Sequence, residues 1–381
     1  MAIMESITGK SNSKNWIVIP TYWTSGTKTG GFDHPTPVTG RSTLPRLLDS
    51  LINQKERDFR VLILAGGVDG SVLPLASDAV DQIKLKYQDQ LQITNCDYST
   101  VSKVQEQYNL PERAFNLMTY AGIRNLQLLI PNMANAEIVI ALDDDEVVAP
   151  NYVHQALKAI KDDRISGIAG PYENKNGELD LVEGEVTGNI FFDKSRIMNA
   201  GLRQLIENPA KILPSPQVFG GNMIFHRDLF TQVGFDPGIT RGEDMDYMLN
   251  SFLAGFTWYM ASDLRITHLP PKQYDVPQYA KLKQDVLRFF YERAKVKKYQ
   301  VDPRLFEPYP GRFLYPDLDT QALQALQKYA TPEMMSEYNS PEDVIAHAYS
   351  RVEQELPAYE EFRIQWPQWM ANTRSNNSIF V

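Results

Sequence analysis

Short apolar runs alternate with amphipathic segments along the first 150 residues. "NWIVIPTY" (15–22), "FRVLILAGG" (59–67), "LQITNC" (91–96) and "EIVIALD" (137–143) are aliphatic runs, some of them closed by Pro or Gly. Such runs are expected of strands buried on both faces. Between them, "STLPRLLDSLINQ" (42–54) sets Leu44, Leu47, Leu48, Leu51 and Ile52 at helical spacing. "SDAVDQIKLKY" (77–87) reads as a second helix, and "ERAFNLMTYAGIRNLQLLIPNMA" (112–134) as a third, interrupted near Pro131. Strands alternating with helices predict an α/β fold with a mostly parallel sheet covered on both faces. Ligands of such sheets sit beyond the carboxyl ends of the strands.

After residue 150 the pattern is mixed. A helix is expected at 151–163, a strand and turn at 166–173, strands within 180–192, and a Pro-rich loop at 209–217. "FGGNMIFHRDLFTQVGFD" (219–236) reads as strand, short helix and turn. In "GEDMDYMLNSFLAGF" (242–256), Met245, Met248, Leu249, Phe252 and Leu253 make one apolar stripe, with Gly255 suited to the C-terminal cap. "TWYMASDLRITHLPP" (257–271) gives one or two short strands. From about 275 the chain turns helical and aromatic, with Pro breaks at 303–316 and helix patterns at 320–330 and 340–356. The division expected is a tail (1–14), two halves of one α/β domain (15–150 and 151–272) and a C-terminal helical appendage (273–381).

Composition narrows the function classes. With 381 residues, 43% hydrophobic and 22% charged, the chain is an ordinary globular sequence. A net charge of −9 speaks against a general nucleic-acid binder and against a basic membrane-surface patch. The single cysteine, Cys96, excludes an intrachain disulfide framework and a Cys-based zinc cluster. The first residues hold no apolar signal core, and no apolar run is long enough for a transmembrane helix. A cytoplasmic location is the resulting expectation, and homo-oligomerisation stays open.

Four places carry candidate chemistry. Asp143-Asp144-Asp145-Glu146 follows directly on an apolar strand. A D-x-D there can present two carboxylates to Mg²⁺ or Mn²⁺, with diphosphate oxygens completing the octahedron. The competing reading is a solvated acidic turn ahead of a helix. In "RGEDMDY" (241–247), Glu243, Asp244 and Asp246 occupy a first helical turn, where negative charge is favoured, yet one of them can equally serve as a general base. His268, after an apolar strand, is either structural or a metal ligand beside the carboxylates. Gly220-Gly221-Asn222 is either a tight turn or backbone approaching a ligand.

Taken in order, these segments resemble the nucleotide-sugar glycosyltransferases of the GT-A fold, glycosyltransferase family 2 in particular. The resemblance spans roughly residues 15–270 and rests on "VIPTY", "RSTLPRLLDSLINQ", "AGIRNLQL", "IALDDDEVVAPNYV", "FGGNMIFHRDLFTQVGFD" and "RGEDMDYMLNSFLAGF". It implies a GT-A sheet and transfer of a sugar from a UDP- or GDP-sugar to a hydroxyl acceptor. Asp143, Asp145 and His268 would hold Mn²⁺ or Mg²⁺. Asp144 would share the donor site, and Glu243 and Asp244 would be catalytic, with Asp244 the base of an inverting reaction. Pro20, Thr21 and Tyr22 would border the nucleotide, Arg124 would lie near the phosphates, and Gly221 and Asn222 near the donor.

The chain departs from the family pattern in places. "WTSGTKTGGFDHPTPVTG" (23–40) is an extra loop, expected as a lid over the donor. "AGGVDGS" (65–71) replaces the usual acidic turn, leaving Asp69 as the base-reading candidate. Three alternatives stay open: a retaining synthase with a glycerate-like or phosphoglycerate-like acceptor, a sugar-1-phosphate nucleotidyltransferase, and a non-catalytic sugar-nucleotide binder.

Overall fold

The structure, a computed structural model, describes residues 13–26, 34–162, 164–271 and 276–375. Residues 1–12 of the tail and 27–33 of the expected lid lie outside the described residues. The strands are β1 (Asn15–Thr24), β2 (Thr36–Pro37), β3 (Arg60–Gly67), β4 (Ile93–Cys96), β5 (Ile138–Leu142), β6 (Glu146–Val148), β7 (Gly167–Ala169), β8 (Tyr172–Glu173), β9 (Ile212–Pro214), β10 (Asn222–His226), β11 (Trp258–Ala261) and β12 (Ile266–His268). The α-helices are α1 (Leu44–Ile52), α2 (Leu73–Tyr87), α3 (Tyr98–Tyr108), α4 (Tyr120–Met133), α5 (Tyr152–Ala159), α6 (Lys194–Ile206), α7 (Arg227–Phe230), α8 (Glu243–Leu253), α9 (Gln278–Lys298), α10 (Leu318–Tyr329), α11 (Pro332–Tyr338) and α12 (Pro341–Ser375).

The central sheet runs β4-β3-β1-β5-β10-β7-β11-β9, with β2 beside β1. The strands from β4 to β5 are parallel to one another, as their unbroken apolar runs require. β10 then enters antiparallel between β5 and β7. A second, three-stranded sheet pairs β12 with β6 and β8. Successive strand residues face opposite sides of the central sheet. Ile17, Ile19, Val61, Ile63 and Ile140 pack with Leu44, Leu47, Val80 and Tyr152 from α1, α2 and α5. Trp16, Val18, Leu62, Leu64 and Val139 belong to the other core, with Ile123 and Leu126 of α4.

The C-terminal helices build that second core as well. Phe289, Leu326, Trp366 and Met370 belong to it, and the Trp366 indole donates to the Phe230 carbonyl at 2.9 Å. α12 continues well past the expected end at 356 and through Pro357 and Pro367. A proline inside a helix costs roughly 3 kcal/mol. Burial of Tyr359, Phe362, Trp366 and Met370 on one face offsets it. Two further expectations are corrected. Residues 112–119 are not helical, because Thr119 caps α4 by accepting from the Gly122 N–H. Residues 180–192 form no strand: Leu181, Val182 and Val186 are exposed, with no layer over them, while Ile190 and Phe191 join the core from a turn rather than from a strand. Among the described residues, no helix is long and apolar enough to cross a membrane.

Candidate active site

β5 ends at Leu142 and delivers Asp143, Asp144 and Asp145 beyond the carboxyl edge of the parallel strands. Their side chains take different partners. Asp143 faces Arg124 of α4, with Nη2 2.9 Å from Oδ1. Asp144 is buried and accepts from the Thr43 hydroxyl at 2.9 Å. Asp145 meets His268, Nε2 to Oδ2 3.3 Å. The antiparallel register of β12 on β6, which sets His268 opposite Glu146, brings that imidazole to Asp145. Glu146 is wholly buried. One of its oxygens accepts from the Asp143 N–H at 2.9 Å, while Oε1 has no hydrogen-bond partner among the described residues.

The electrostatics explain how so many acids share one turn. Burial pushes the Glu146 carboxyl well above the usual range, and the charges of Asp143 and Asp145 push the same way. Burial and Asp145 likewise raise Asp144. Asp143 is raised by burial but held back by Arg124. Burial alone would lower the His268 imidazole; its contact with Asp145 outweighs that and raises it.

α8 brings the second acidic pair. Its first residue, Glu243, lies 3.3 Å from Arg124 Nε, so one guanidinium, 3% exposed, joins Asp143 to Glu243. Burial, then the neighbouring Asp244 charge, push Glu243 up to about 7 against the pull of Arg124. Asp244 accepts from the Gly220 N–H at 3.0 Å and the Met245 N–H at 2.8 Å. Gly242 leads into the helix at φ 74°, and a Cβ there would lie 1.7 Å from Arg288 Nη1.

These groups line one cavity of about 290 Å³. Of the residues singled out in the sequence, it gathers Tyr22, Arg124, Asp143, Asp144, Asp145, Glu243, Asp244 and His268. It does not gather Pro20, Thr21, Asp69, Gly221 or Asn222. Pro20 is buried in β1, and Thr21 gives its hydroxyl to the Leu64 carbonyl. Asn222 is buried between the Tyr152 hydroxyl and the Leu264 carbonyl. Asp69 sits on the surface, accepting from Ser71. Gly221 does make a close approach, but to side chains: a Cβ would lie 2.1 Å from Glu146 Oε1.

The cavity also contains residues that sequence reasoning passed over. Tyr120 packs edge-on against Tyr22, with ring centroids 5.1 Å apart, and the Tyr172 ring lies 5.3 Å from that of His268. Lys194, Asp285, Arg288 and Tyr309 arrive from α6, α9 and the loop after it. No local motif marks them. Among the described residues, no group of three or more His, Cys, Asp and Glu is arranged to hold a metal unaided. Asp145 and His268 form a two-donor set, which fits a cation whose remaining ligands are water and phosphate oxygens. Both Asp143 oxygens are already engaged by Arg124.

The acids at the strand ends and the acidic turn of α8 thus share one cavity, and comparison identifies the class of the protein as glycosyltransferase. The family model described as glycosyl transferase family group 2 matches residues 138–377, more than half of the 381, and the chain belongs to that family. The expectation drawn from the motifs is borne out at that level. No curated protein matches the chain. Among solved structures, it is similar to the mannosyltransferase PcManGT from Pyrobaculum calidifontis in complex with GDP-Man and Mn²⁺, at 13% identity and TM-score 0.46, over 99% of this chain and 93% of that one. It is also similar to S. aureus TarS 1-349 in complex with UDP, at 13% identity and TM-score 0.41, over 93% and 91%. For GalNAc-T7 with UDP, GalNAc and Mn²⁺ the identity is 14% and the TM-score 0.45, over 88% of this chain but only 57% of that one.

Proposed function

We propose that the protein transfers a sugar from a nucleoside-diphosphate sugar to an acceptor hydroxyl, inverting the anomeric centre. The observation that carries this reading is convergence. Asp143, Asp145, His268, Glu243 and Asp244, drawn from three separate segments, line a single cavity at the end of the parallel strands.

Each side chain has a task in that reaction. Tyr22 and Tyr120 offer aromatic surface to the donor. Arg124 lies close enough to Asp143 to meet a phosphate oxygen as well. Asp145 and His268 would hold Mn²⁺ or Mg²⁺, which when bound neutralises charge on the leaving diphosphate. Asp244 takes the proton from the acceptor hydroxyl. The acceptor oxygen forms its bond to the anomeric carbon as the carbon–oxygen bond to the diphosphate breaks, and that electron pair leaves with the nucleoside diphosphate. The Gly220 and Met245 N–H groups fix the direction of the Asp244 carboxylate. Glu243 positions Arg124.

The test is nucleotide release from a panel of UDP- and GDP-sugars, followed by NMR of the product at early times. Asp244→Asn is expected to lower kcat by about 10²–10⁴ while largely preserving donor binding. Normal turnover by that variant would remove Asp244 as base, and a retained anomer would overturn the inverting step.

A further inference from the structure

Besides Tyr22 and Tyr120, the cavity holds a second aromatic pair, for which the donor has been given no use. The Tyr172 ring lies 4.9 Å from that of Phe219 and 5.3 Å from that of His268, so the three rings form a row. The row starts at the candidate metal ligand and ends beside the base. Gly220, the residue after Phe219, donates its N–H to Asp244 at 3.0 Å. Phe219 is half-buried and lines the cavity with Met198 and the buried Val218. The charged groups that share this lining offset one another. Lys194 of α6 places Nζ 2.7 Å from Asp285 Oδ2 of α9. Arg288, also of α9, donates from Nη2 to the Tyr309 hydroxyl at 2.7 Å, and its Nε lies 3.6 Å from Glu292. Arg241 acts electrostatically on both Lys194 and Asp285. Three cations thus stand against the carboxylates of Asp244, Asp285 and Glu292, with no excess of either sign among them.

Resting on the glycosyl-transfer reading, we propose that the acceptor is a neutral saccharide, with a sugar ring laid on Phe219 and Tyr172 and one of its hydroxyls presented to Asp244. A pyranose has the matching surface. Its C–H bonds gather on a face that packs against an aromatic ring, and its hydroxyls project around the edge. Those hydroxyls need donors and acceptors side by side, and the Lys194–Asp285 pair supplies both. Lys194 and Asp285 keep 25% and 11% of their side chains exposed, so both are reachable from the cavity. The balance of charge disfavours the rivals. An anionic acceptor would add a charge that no surplus cation meets, and a lipid alcohol would strip water from the ion pairs without replacing its hydrogen bonds. Position assigns the ring to the acceptor. Phe219 precedes the N–H that aims Asp244, and a base must reach the acceptor hydroxyl.

Calorimetry and saturation-transfer NMR on the full chain test this. UDP or GDP with Mg²⁺ is titrated first, and this step alone judges the glycosyl-transfer reading. The methyl glycosides of glucose, galactose, mannose and N-acetylglucosamine are then presented to the nucleotide-saturated protein, beside 1-hexanol, N-acetylthreonine amide and glycerol 3-phosphate. If neither nucleotide binds, the glycosyl-transfer reading fails, and the same panel on the free protein still reports on the aromatic pair. At least one glycoside is expected to bind one-to-one, with saturation reaching its ring C–H protons first, and the other probes are expected not to bind. Phe219→Ala should weaken that glycoside by about fivefold or more with UDP or GDP affinity unchanged, and Phe219→Trp should retain it. Phe219→Leu keeps apolar volume without a ring and takes the place of Phe219→Ala if that variant does not fold. The proposal is overturned if no glycoside binds, if another probe binds better, or if glycoside binding survives loss of the ring. It is overturned as well if loss of the ring weakens UDP-glucose or GDP-mannose instead of the glycoside, because the ring then serves the donor sugar.

Discussion

Replacing Lys295 by Met isolates the tie between the C-terminal helices and the acidic helix. The Lys295 ammonium is fully buried, 2.6 Å from Asp236 and 2.7 Å from Asp246, and also donates to Asn250 at 3.2 Å. It lies 4.0 Å from the Tyr359 ring centroid of α12. Asp246 is on α8, two residues after Asp244. Removing one partner of a buried ion pair costs roughly 3–5 kcal/mol, because the other charges stay behind uncompensated. At about 2 cal/mol/K per residue, 381 residues give an unfolding entropy of about 0.8 kcal/mol/K, so the melting temperature should fall by about 4–6 °C. The loss should depend on pH. Burial already lifts Asp246 to about 6, and without Lys295 it rises further, so proton uptake relieves the variant in acid. Thermal melts at pH 5.5 and 8 should therefore show the larger deficit at pH 8. The triple variant Asp236→Asn, Asp246→Asn, Lys295→Met removes the stranded charges and should recover much of the loss. A shift below about 1 °C at pH 8, or an equal deficit at both pH values, would refute the reasoning.

Three further outcomes follow from the geometry. Glu243, held at about 7, is anionic and grips Arg124 only above that pH, so activity should rise through pH 7. Glu243→Gln should flatten the pH–rate profile and lower the pH 8 rate; an unchanged profile would show that the carboxylate does not govern Arg124. Glu292, raised from 4.5 to about 8 chiefly by burial, gives stability that is complete below 4.5 and lost as pH rises through 8. Glu292→Gln should thus melt higher than the wild type at pH 8.5, with the gap closing by pH 4.5. Gly221→Ala would force a Cβ to 2.1 Å from Glu146 Oε1 and 2.7 Å from Asp143 Oδ2, a strain of about 1–3 kcal/mol or more, read as lower stability in urea and weaker nucleotide binding.

The parallel half of the sheet was legible because strands buried on both faces are written as unbroken apolar runs, and β1, β3, β4 and β5 lie where those runs lie. The acidic site was legible for a related reason: like charges at a buried strand end need a compensating partner, and Arg124 and His268 are there. Much of the rest was hidden by long sequence separation. Lys194 and Asp285 meet across 91 positions, and neither carries a motif. α9 misleads in another way. Asp285, Arg288, Glu292 and Lys295 recur at helical spacing, a pattern normally read as a solvated face, yet all four are buried. Apolar residues in 180–192 suggested strands, whereas Val182 and Val186 stay exposed and Ile190 and Phe191 are buried from a turn instead.

That buried stripe has an evolutionary corollary. Its first members, Asp285 and Arg288, border the cavity, and its last, Lys295, grips the helix bearing Glu243 and Asp244. The cavity wall and the clamp on α8 therefore share a single helix. A descendant that reshapes the wall at positions 285 and 288 inherits a disturbance in the clamp, so such changes should arise in step with compensating ones at positions 236 and 246.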